Sequence, residues 1–405
     1  HHGRGRRDAR THGRVGGSTM DLNFSASEQA FRRECRAWLE SNAPREPLPS
    51  GDTAEGFARH LDWEHALFDA GWAAVSWPKQ YGGREASLFE WLIFEEEYYR
   101  AGAPSRVTQN GIFLLAPTLF EFGTEEQKER ILRPMARGDV TWGQAWSEPN
   151  AGSDLAALKS TARRVDGGWR LSGQKTWSTR AAFCDMAYGL FRTDPEQSRH
   201  RGLSYFMFPL RGEGVSVRGV DRLDGDEGFA EIFLEDLFVP DRDVIGAVDQ
   251  GWKVAMATTS SERGLSLRSP GRFVATATRL IDLYHRHRDR SDPALRDQVI
   301  RAWMDAQAYR WFTFQTVTRM SEGESIGPDS SMNKVFWSDM DVRTHETALA
   351  LIGEALELDE GSASAVDDGH WMKAFQFALA GPIYAGTNEI QRNIISERVL
   401  GLPRK

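Results

Sequence analysis

From residue 383 to residue 392 the chain reads Ile383-Tyr384-Ala385-Gly386-Thr387-Asn388-Glu389-Ile390-Gln391-Arg392. Thr387 predicts the N-cap of a helix, and Glu389 places an acidic residue in its first turn, because both complement the free N–H groups at a helix start. A helix N-terminus also suits a phosphate group. The stretch therefore indicates a capped helix, which could also face an anionic ligand.

Two further stretches combine glycine, tryptophan and small polar residues. They read Gln144-Ala145-Trp146-Ser147-Glu148-Pro149-Asn150-Ala151-Gly152-Ser153-Asp154 and Gly173-Gln174-Lys175-Thr176-Trp177-Ser178-Thr179. Gly152 would let the backbone approach a ligand closely. Because the chain contains 14 tryptophans, either Trp146 or Trp177 alone would be interpreted as a core aromatic.

The order of local patterns predicts three domains after a short leading segment. Residues 20–140 have the pattern of helices, residues 141–245 that of short strands, and residues 246–405 that of long helices. Residues 1–19 are rich in glycine, arginine and histidine. We expect them to be vector-derived, with Met20 as the native start; a native basic tail is the alternative.

Individual elements are also predicted. Ser25 to Glu28 has the pattern of a capping box, and Thr124 caps another helix. Gly167-Gly168 marks a hairpin. The other predicted helices span 57–70, 88–100, 252–269, 273–288, 293–321 and 332–358, and the other predicted strands 203–210, 215–220 and 229–234. The length of the last helices suits a bundle.

Composition narrows the class of protein. The 405 residues are 40% hydrophobic and 27% charged, with a formal net charge of -8, which is ordinary for a globular protein and argues against non-specific nucleic-acid binding. Cys35 and Cys184 form no CxxC pair, so neither a disulfide framework nor a metal site is expected. No apolar run approaches a membrane span of about 20 residues. A cytoplasmic location is the default expectation.

The three quoted stretches, in this order, resemble motifs of the acyl-CoA dehydrogenases. The ending, residues 393–404, resembles actinobacterial members, and the resemblance covers essentially residues 21–404. It implies an α+β fold with an N-terminal helical domain, a middle β-domain and a C-terminal four-helix-bundle domain. It also implies FAD-dependent α,β-dehydrogenation of an acyl-CoA thioester, with β-hydride transfer to flavin N5 and electrons passed to an electron-transfer flavoprotein.

The same resemblance implies site residues. The Trp146-Ser147 backbone and the Ser147 hydroxyl would bond the flavin ring edge, Trp177 would cover the ring face, and Thr179 would bond the ring. The full set implied for FAD is Gln144, Trp146, Ser147, Ser153, Trp177, Thr179, Arg288, Thr387 and Glu389. The set implied for the acyl-CoA substrate is Ser153, Ser260, Arg263 and Gly386.

Ala385 occupies the position where many members of this family carry the glutamate that acts as catalytic base. A methyl group cannot accept a proton. Glu262 matches the alternative base position of isovaleryl-CoA and long-chain acyl-CoA dehydrogenases, and a buried carboxylate with a raised pKa suits abstraction of an α proton. The resemblance therefore assigns the base to Glu262. Without it, a Glu262–Arg263 pair on a helix would indicate only a solvated face.

Two departures leave alternatives open. Residues 287–293 lack the phenylalanine and glycine of a family segment that reaches FAD across a dimer interface, although Arg288 could keep a phosphate contact. Residues 350–354 replace a Gln-x-x-Gly-Gly loop. A homo-dimer or homo-tetramer is expected, and a heterotetramer of two different subunits is the alternative. A third hypothesis is a flavin monooxygenase or oxidase, because fold alone does not fix chemistry.

Overall fold

The computed structural model describes residues 23–263, 269–287, 292–324, 327–328 and 330–403, with the backbone alone for 260–263. The chain begins with helices, continues as one sheet and ends with helices. The first group comprises α1 (Ala26–Asn42), α2 (Ala54–Asp69), α3 (Leu88–Arg100), α4 (Ala116–Phe122) and α5 (Glu125–Arg137).

Capping boxes begin three of these helices. The hydroxyls of Ser25 and Thr124 accept the N–H of the residue three places on, and the side chain of that residue returns to the cap N–H. Both predicted caps are therefore confirmed. Ser87 begins α3 in the same way. Each box satisfies two N–H groups that the helix leaves unpaired.

The second group is a single mixed sheet. Its strands are β1 (Trp142–Ala145), β2 (Thr161–Val165), β3 (Gly168–Lys175), β4 (Met186–Arg192), β5 (Leu203–Pro209), β6 (Val215–Val220), β7 (Phe229–Pro240) and β8 (Val244–Ile245). The order is β6-β7-β3-β2-β4-β5-β8, and β1 pairs in parallel with β4. The predicted hairpin is confirmed, since β2 and β3 pair antiparallel around Gly167.

The third group is helical, as the sequence predicts. It comprises α6 (Gly251–Arg263), α7 (Pro270–His287), α8 (Ala294–Ser321), α9 (Ser330–Ile352), α10 (His370–Ala378) and α11 (Asn388–Ile394). The prediction of one helix over 332–358 is wrong at its end. Gly353 has φ +65° and a 3₁₀ turn, Gly353–Glu357, follows it, because a left-handed glycine ends a helix readily.

The strand and helix layers meet where α6 packs on β5 and α4 packs on α6. Thr118 of α4 and Thr258 of α6 bring their hydroxyls within 2.7 Å of each other, and the Tyr205 hydroxyl of β5 lies 3.3 Å from that of Thr258. Between α3 and α4, residues Asn110–Leu115 form one π-helical turn that also packs against α6. Of the helices described, none combines the length and the apolar character that crossing a membrane requires.

Candidate functional site

The 144–154 loop and the 173–179 segment lie side by side at one end of the sheet. The Thr176 N–H donates to the Ser147 carbonyl at 2.9 Å, and the Ser178 N–H donates to the Ala230 carbonyl at 3.0 Å. The fold therefore brings Trp146 and Ser147 close to the segment that carries Trp177 and Thr179.

A buried ion pair fixes this loop to its strand. Lys175 Nζ lies 2.9 Å from Glu148 Oε1, and the Glu148 carboxylate also accepts the backbone N–H groups of Lys159 and Ser160. Burial opposes ionisation of Glu148, but the Lys175 charge and these hydrogen bonds outweigh burial and hold its pKa below the usual value. Burial lowers the pKa of Lys175, and the Glu148 charge offsets this only in part. Sequence reasoning did not single out this pair.

Trp177 presents an aromatic surface to solvent. Its residue surface is 61% exposed, and its φ is +58°, a left-handed conformation that is uncommon for a bulky residue. Its ring stands edge-on to Phe229, with the centroids 5.8 Å apart. Trp146 differs, because it is half-buried and its indole N–H donates to the Tyr205 hydroxyl at 3.0 Å. The indole donor of Trp146 is thus already used within the protein.

Several polar groups beside these rings lack partners. In the part of the chain that the structure describes, the hydroxyls of Ser147 and Thr179 make no hydrogen bond, and the buried Gln144 Nε2 has no partner. An added Cβ at Gly152 would meet no atom within 4 Å, so the space beside it is open. Ser153 next to it is exposed. Unused donors around an exposed aromatic face fit a flat, polar ring system such as a flavin.

The C-terminal turn, residues 383–388, has an unusual backbone. Ala385 and Gly386 have φ values of +56° and +77°. Gln391 Nε2 holds both of their carbonyls, at 3.0 Å and 3.2 Å. The Thr387 hydroxyl accepts the Ile390 N–H, so the predicted N-cap of α11 is confirmed.

Asn388 anchors this turn to α9, and sequence reasoning missed it. Its Oδ1 accepts hydrogen bonds from Lys334 Nζ and the Ser338 hydroxyl, and its Nδ2 donates to Asp339. Glu389 instead projects to solvent, where its own backbone N–H and the Thr387 hydroxyl hold the pKa of its carboxyl below the usual value. An asparagine immediately after an N-cap threonine carries no periodic signal that would have indicated a buried anchor.

Stacked aromatic rings connect the C-terminal turn to the start of α7. Tyr384 stacks on Trp337 with centroids 6.0 Å apart, and Trp337 stacks on Phe273 at 6.1 Å. Ala385 therefore lies near the start of α7.

The predicted base and its neighbours belong to the last turn of α6. The backbone of Glu262 lies one helical turn beyond Thr258, whose hydroxyl is connected to Trp146 through Tyr205. The side chains of Ser260, Glu262 and Arg263, and all of Arg288, lie outside the described residues.

A cavity of about 270 Å³ opens between α3, α4 and the 110–115 turn. Its apolar walls are Trp77, Trp91, Phe94, Ile112, Phe113 and Phe120. Pro117, which precedes Thr118 in α4, also borders it. Thr118 contacts Thr258, so α4, which borders the cavity through Pro117 and Phe120, also packs on the helix that carries Glu262.

Family models match almost the whole described chain. The acyl-CoA dehydrogenase N-terminal, middle and C-terminal domains match residues 25–139, 143–237 and 249–400 respectively.

Individual relatives agree with the models. The acyl-CoA dehydrogenase IpdE1 of Mycolicibacterium smegmatis is 37% identical over 395 residues, covering 93% of this chain and 98% of its own. The solved Tcur3481-Tcur3483 steroid ACAD is 27% identical, with a TM-score of 0.86, and covers 95% of this chain and 100% of its own. The ChsE4-ChsE5 complex from Mycobacterium tuberculosis is 28% identical, with a TM-score of 0.82 and the same coverage.

Proposed function

The chain belongs to the acyl-CoA dehydrogenase family, and we propose that it dehydrogenates the CoA thioester of a fused-ring, steroid-derived acid, with Glu262 as the base. The enzyme is an oxidoreductase whose cofactor is FAD. The observation that carries the choice of base is Ala385, whose methyl group cannot take the α proton. Electrons would then leave to an electron-transfer flavoprotein.

The residues around Trp177 would hold the flavin. Bound FAD supplies the oxidising group that accepts the β-hydrogen with its electron pair. The Ser147 and Thr179 hydroxyls, unpartnered within the described residues, would bond the ring edge, and Trp177 would cover its exposed face. Glu148 and Lys175 would act indirectly, because their buried pair fixes the loop that carries Ser147.

The base would act from the last turn of α6. A carboxylate abstracts an α proton well when burial brings its pKa near the working pH. The hydrogen bonds of Thr258, one turn earlier, hold this helix against α4 and against β5, whose Tyr205 also bonds Trp146. The turn at Ala385 would contribute backbone groups, since a thioester oxygen is polarised by hydrogen-bond donors.

The substrate class rests on two observations. One similar solved structure is described as a steroid ACAD. The cavity beside α3 has an apolar wall of five aromatic rings and one isoleucine, which suits a rigid, bulky hydrocarbon.

Replacing Glu262 with glutamine tests the proposal. Glu262→Gln should retain FAD and lose roughly 10²–10⁴-fold in the rate of flavin reduction, the usual contribution of a general base. The measurement is anaerobic bleaching of the flavin absorbance after mixing with steroid-derived, branched and straight-chain acyl-CoA thioesters. The exposed Glu129 on α5 provides the control, Glu129→Gln, which should reduce flavin at the wild-type rate.

Bleaching of Glu262→Gln at the wild-type rate would show that the base lies elsewhere. Bleaching of the wild type by straight-chain thioesters alone would contradict the fused-ring substrate class. Rapid reoxidation of the reduced enzyme by oxygen would favour an oxidase or monooxygenase instead.

A second candidate function is that of one subunit in a heteromeric dehydrogenase. The ChsE4-ChsE5 structure is described as a complex of two proteins, and residues 287–293 and 350–354 of this chain depart from the family pattern for the adenosine half of FAD. The flavin-to-protein absorbance ratio of the chain purified alone distinguishes a dehydrogenase that binds FAD by itself from one subunit of a heteromer. A flavin-free protein that gains FAD only with a second, different subunit would favour the heteromer.

A further inference from the structure

The cavity beside α3 is connected to the flavin segments through one element. Asn110 begins the π-helical turn and its Nδ2 donates to the Thr179 carbonyl at 3.3 Å, while the Tyr188 hydroxyl donates to the Asn110 carbonyl. Ile112 and Phe113, two and three residues further along the turn, form part of the cavity wall. A substrate held at Thr179 and the end of α6 would therefore extend towards this cavity.

Two charged residues, Arg106 and Glu95, line this mostly apolar cavity, and of the two only Arg106 has an ion-pair partner among the described residues. Arg106 Nε lies 2.6 Å from Glu64 Oε2, and Arg106 Nη2 donates to the Ala73 carbonyl at 2.9 Å. Glu95, on α3, is 5% exposed and forms no ion pair with any described residue. The Ser269 hydroxyl, just before α7, provides its hydrogen bond. Glu95 is thus the carboxyl group with hydrogen-bonding capacity left for a ligand.

The chemistry of Glu95 suits a neutral oxygen partner. Burial raises the pKa of its carboxyl to about 7, although the Arg106 charge and the Ser269 hydroxyl oppose that rise. Near neutral pH both forms are populated, so the acid can donate its O–H to a ketone, and either form can accept from a hydroxyl. A buried carboxyl in an apolar cavity with no such partner would be costly.

The volume of the cavity limits the size of the ligand group that it can hold. A cavity of about 150 Å³ lined by aliphatic and aromatic side chains holds benzene, so one of about 270 Å³ admits roughly two fused rings. We infer that this cavity binds the ring end of the acyl group remote from the thioester, and that Glu95 selects substrates bearing a ketone or hydroxyl there. This inference deepens the proposed function and rests on it for the identity of the site.

The test uses small ligands that need no turnover. The dissociation constants of 2-indanone and of indane, its hydrocarbon counterpart, are measured by calorimetric titration of the FAD-loaded protein. The wild type should bind the ketone about tenfold more tightly, the worth of one buried hydrogen bond. Glu95→Leu should abolish that preference, whereas Glu95→Gln, which keeps a donor and an acceptor, should keep most of it.

Glu90→Gln is the matched control, since it removes a carboxylate from the same helix while glutamine preserves the capping box with Ser87. Its ketone preference should equal that of the wild type. Equal affinities for the two ligands in the wild type, no binding of either, or an unchanged preference in Glu95→Leu would overturn the inference.

Turnover separates this inference from the proposed function. For a thioester with a ketone on its ring end, Glu95→Leu should raise KM about tenfold, with a smaller change in kcat. If none of the thioesters reduces the flavin of the wild type, the proposed function is refuted. The ligand titrations would still decide whether Glu95 selects an oxygen group.

Discussion

Ala385 combines a left-handed backbone with a side chain that has no acid–base chemistry. Its φ of +56° costs an ordinary residue roughly 1–2 kcal/mol, and Gln391 stabilises the turn by binding the carbonyls of Ala385 and Gly386. The turn therefore keeps its shape without needing the side chain at 385. A carboxylate placed there would encounter little further backbone strain.

Restoring a glutamate at this position should rescue a variant that lacks the proposed base. We expect Ala385→Glu in the Glu262→Gln background to regain at least tenfold in flavin reduction, because both positions would border the same α carbon. Rates of anaerobic bleaching compare the double and single variants. If the double variant stays as slow as Glu262→Gln while a crystal structure shows the new carboxylate in the site, the shared geometry is wrong.

Glu95 makes the folded state sensitive to pH. Its folded pKa of about 7 lies above the reference value of 4.5, so the group favours folding below pH 4.5 and that stability is lost as the pH rises through 7. The loss from this group should be about 2 kcal/mol between pH 5.5 and pH 8.5. Urea unfolding at both pH values measures it.

Glu95→Gln should remove this part of the pH dependence, because an amide does not titrate. Glu90→Gln on the same helix should preserve this pH dependence, since the Glu90 carboxyl is not fully buried. If the unfolding free energy changes equally between the two pH values in the wild type and in Glu95→Gln, the Glu95 carboxyl is not buried as described.

At the scale of elements, the Lys175–Glu148 pair joins the end of β3 to the 144–154 loop. The Lys175 side chain is 0% exposed, and Glu148 also binds two backbone N–H groups that follow the loop. Lys175→Met should cost about 3–5 kcal/mol of unfolding free energy, because it leaves a buried carboxylate without its cation. FAD content should fall too, since the loop carries Ser147.

The neighbouring Lys159 provides the control for this substitution. Its side chain is exposed, so Lys159→Met should change the unfolding free energy by less than about 0.5 kcal/mol. Urea unfolding and the flavin-to-protein absorbance ratio are measured on both variants. Equal effects in the two would contradict a structural role for the buried pair.

The elements that the sequence predicted are those with local signals. Capping boxes fix the starts of α1 and α5, and the predicted helix over residues 88–100 matches α3. Strand β4 was missed because Met186–Arg192 is buried at five consecutive positions and shows no alternation. The end of α9 was missed because α-helical periodicity continues across Gly353 into the 3₁₀ turn.

The candidate site was predictable where short motifs mark it, and not where packing creates it. The family motifs indicated the segments around Trp146 and Trp177, and the fold places them together through the Thr176–Ser147 bond. The roles of Asn388 and Glu95 depend on neighbours distant in sequence. The buried Asn388 accepts hydrogen bonds from Lys334 and Ser338, and no local sequence pattern marks such a contact.

At the scale of the whole molecule, a buried ionic network connects the three parts of the chain. Arg222 Nη1 lies 2.6 Å from Asp52, which precedes α2, and Nη2 lies 2.7 Å from Asp224 in the sheet region. Lys373 of α10 pairs with Asp226 at 3.1 Å, and the Arg222 guanidinium also lies over the Phe377 ring of α10, 5.1 Å from its centroid. One guanidinium therefore contacts groups from all three parts.

Removing that guanidinium should weaken the association of the three parts. Arg222 and its partner Asp224 have side chains that are 10% and 3% exposed, so Arg222→Met leaves the Asp224 carboxylate buried without its cation and should cost about 3 kcal/mol. Asp52 keeps Arg180 and Asp226 keeps Lys373. Arg163→Met is the control, because the Arg163–Asp236 pair is more than 60% exposed on both sides and should contribute less than about 1 kcal/mol.

Urea unfolding followed by tryptophan fluorescence and by circular dichroism measures both variants. In Arg222→Met the two probes should separate, as the helical parts detach from the sheet before each unfolds. Coincident transitions with the wild-type midpoint would show that apolar packing, and not this network, holds the parts together.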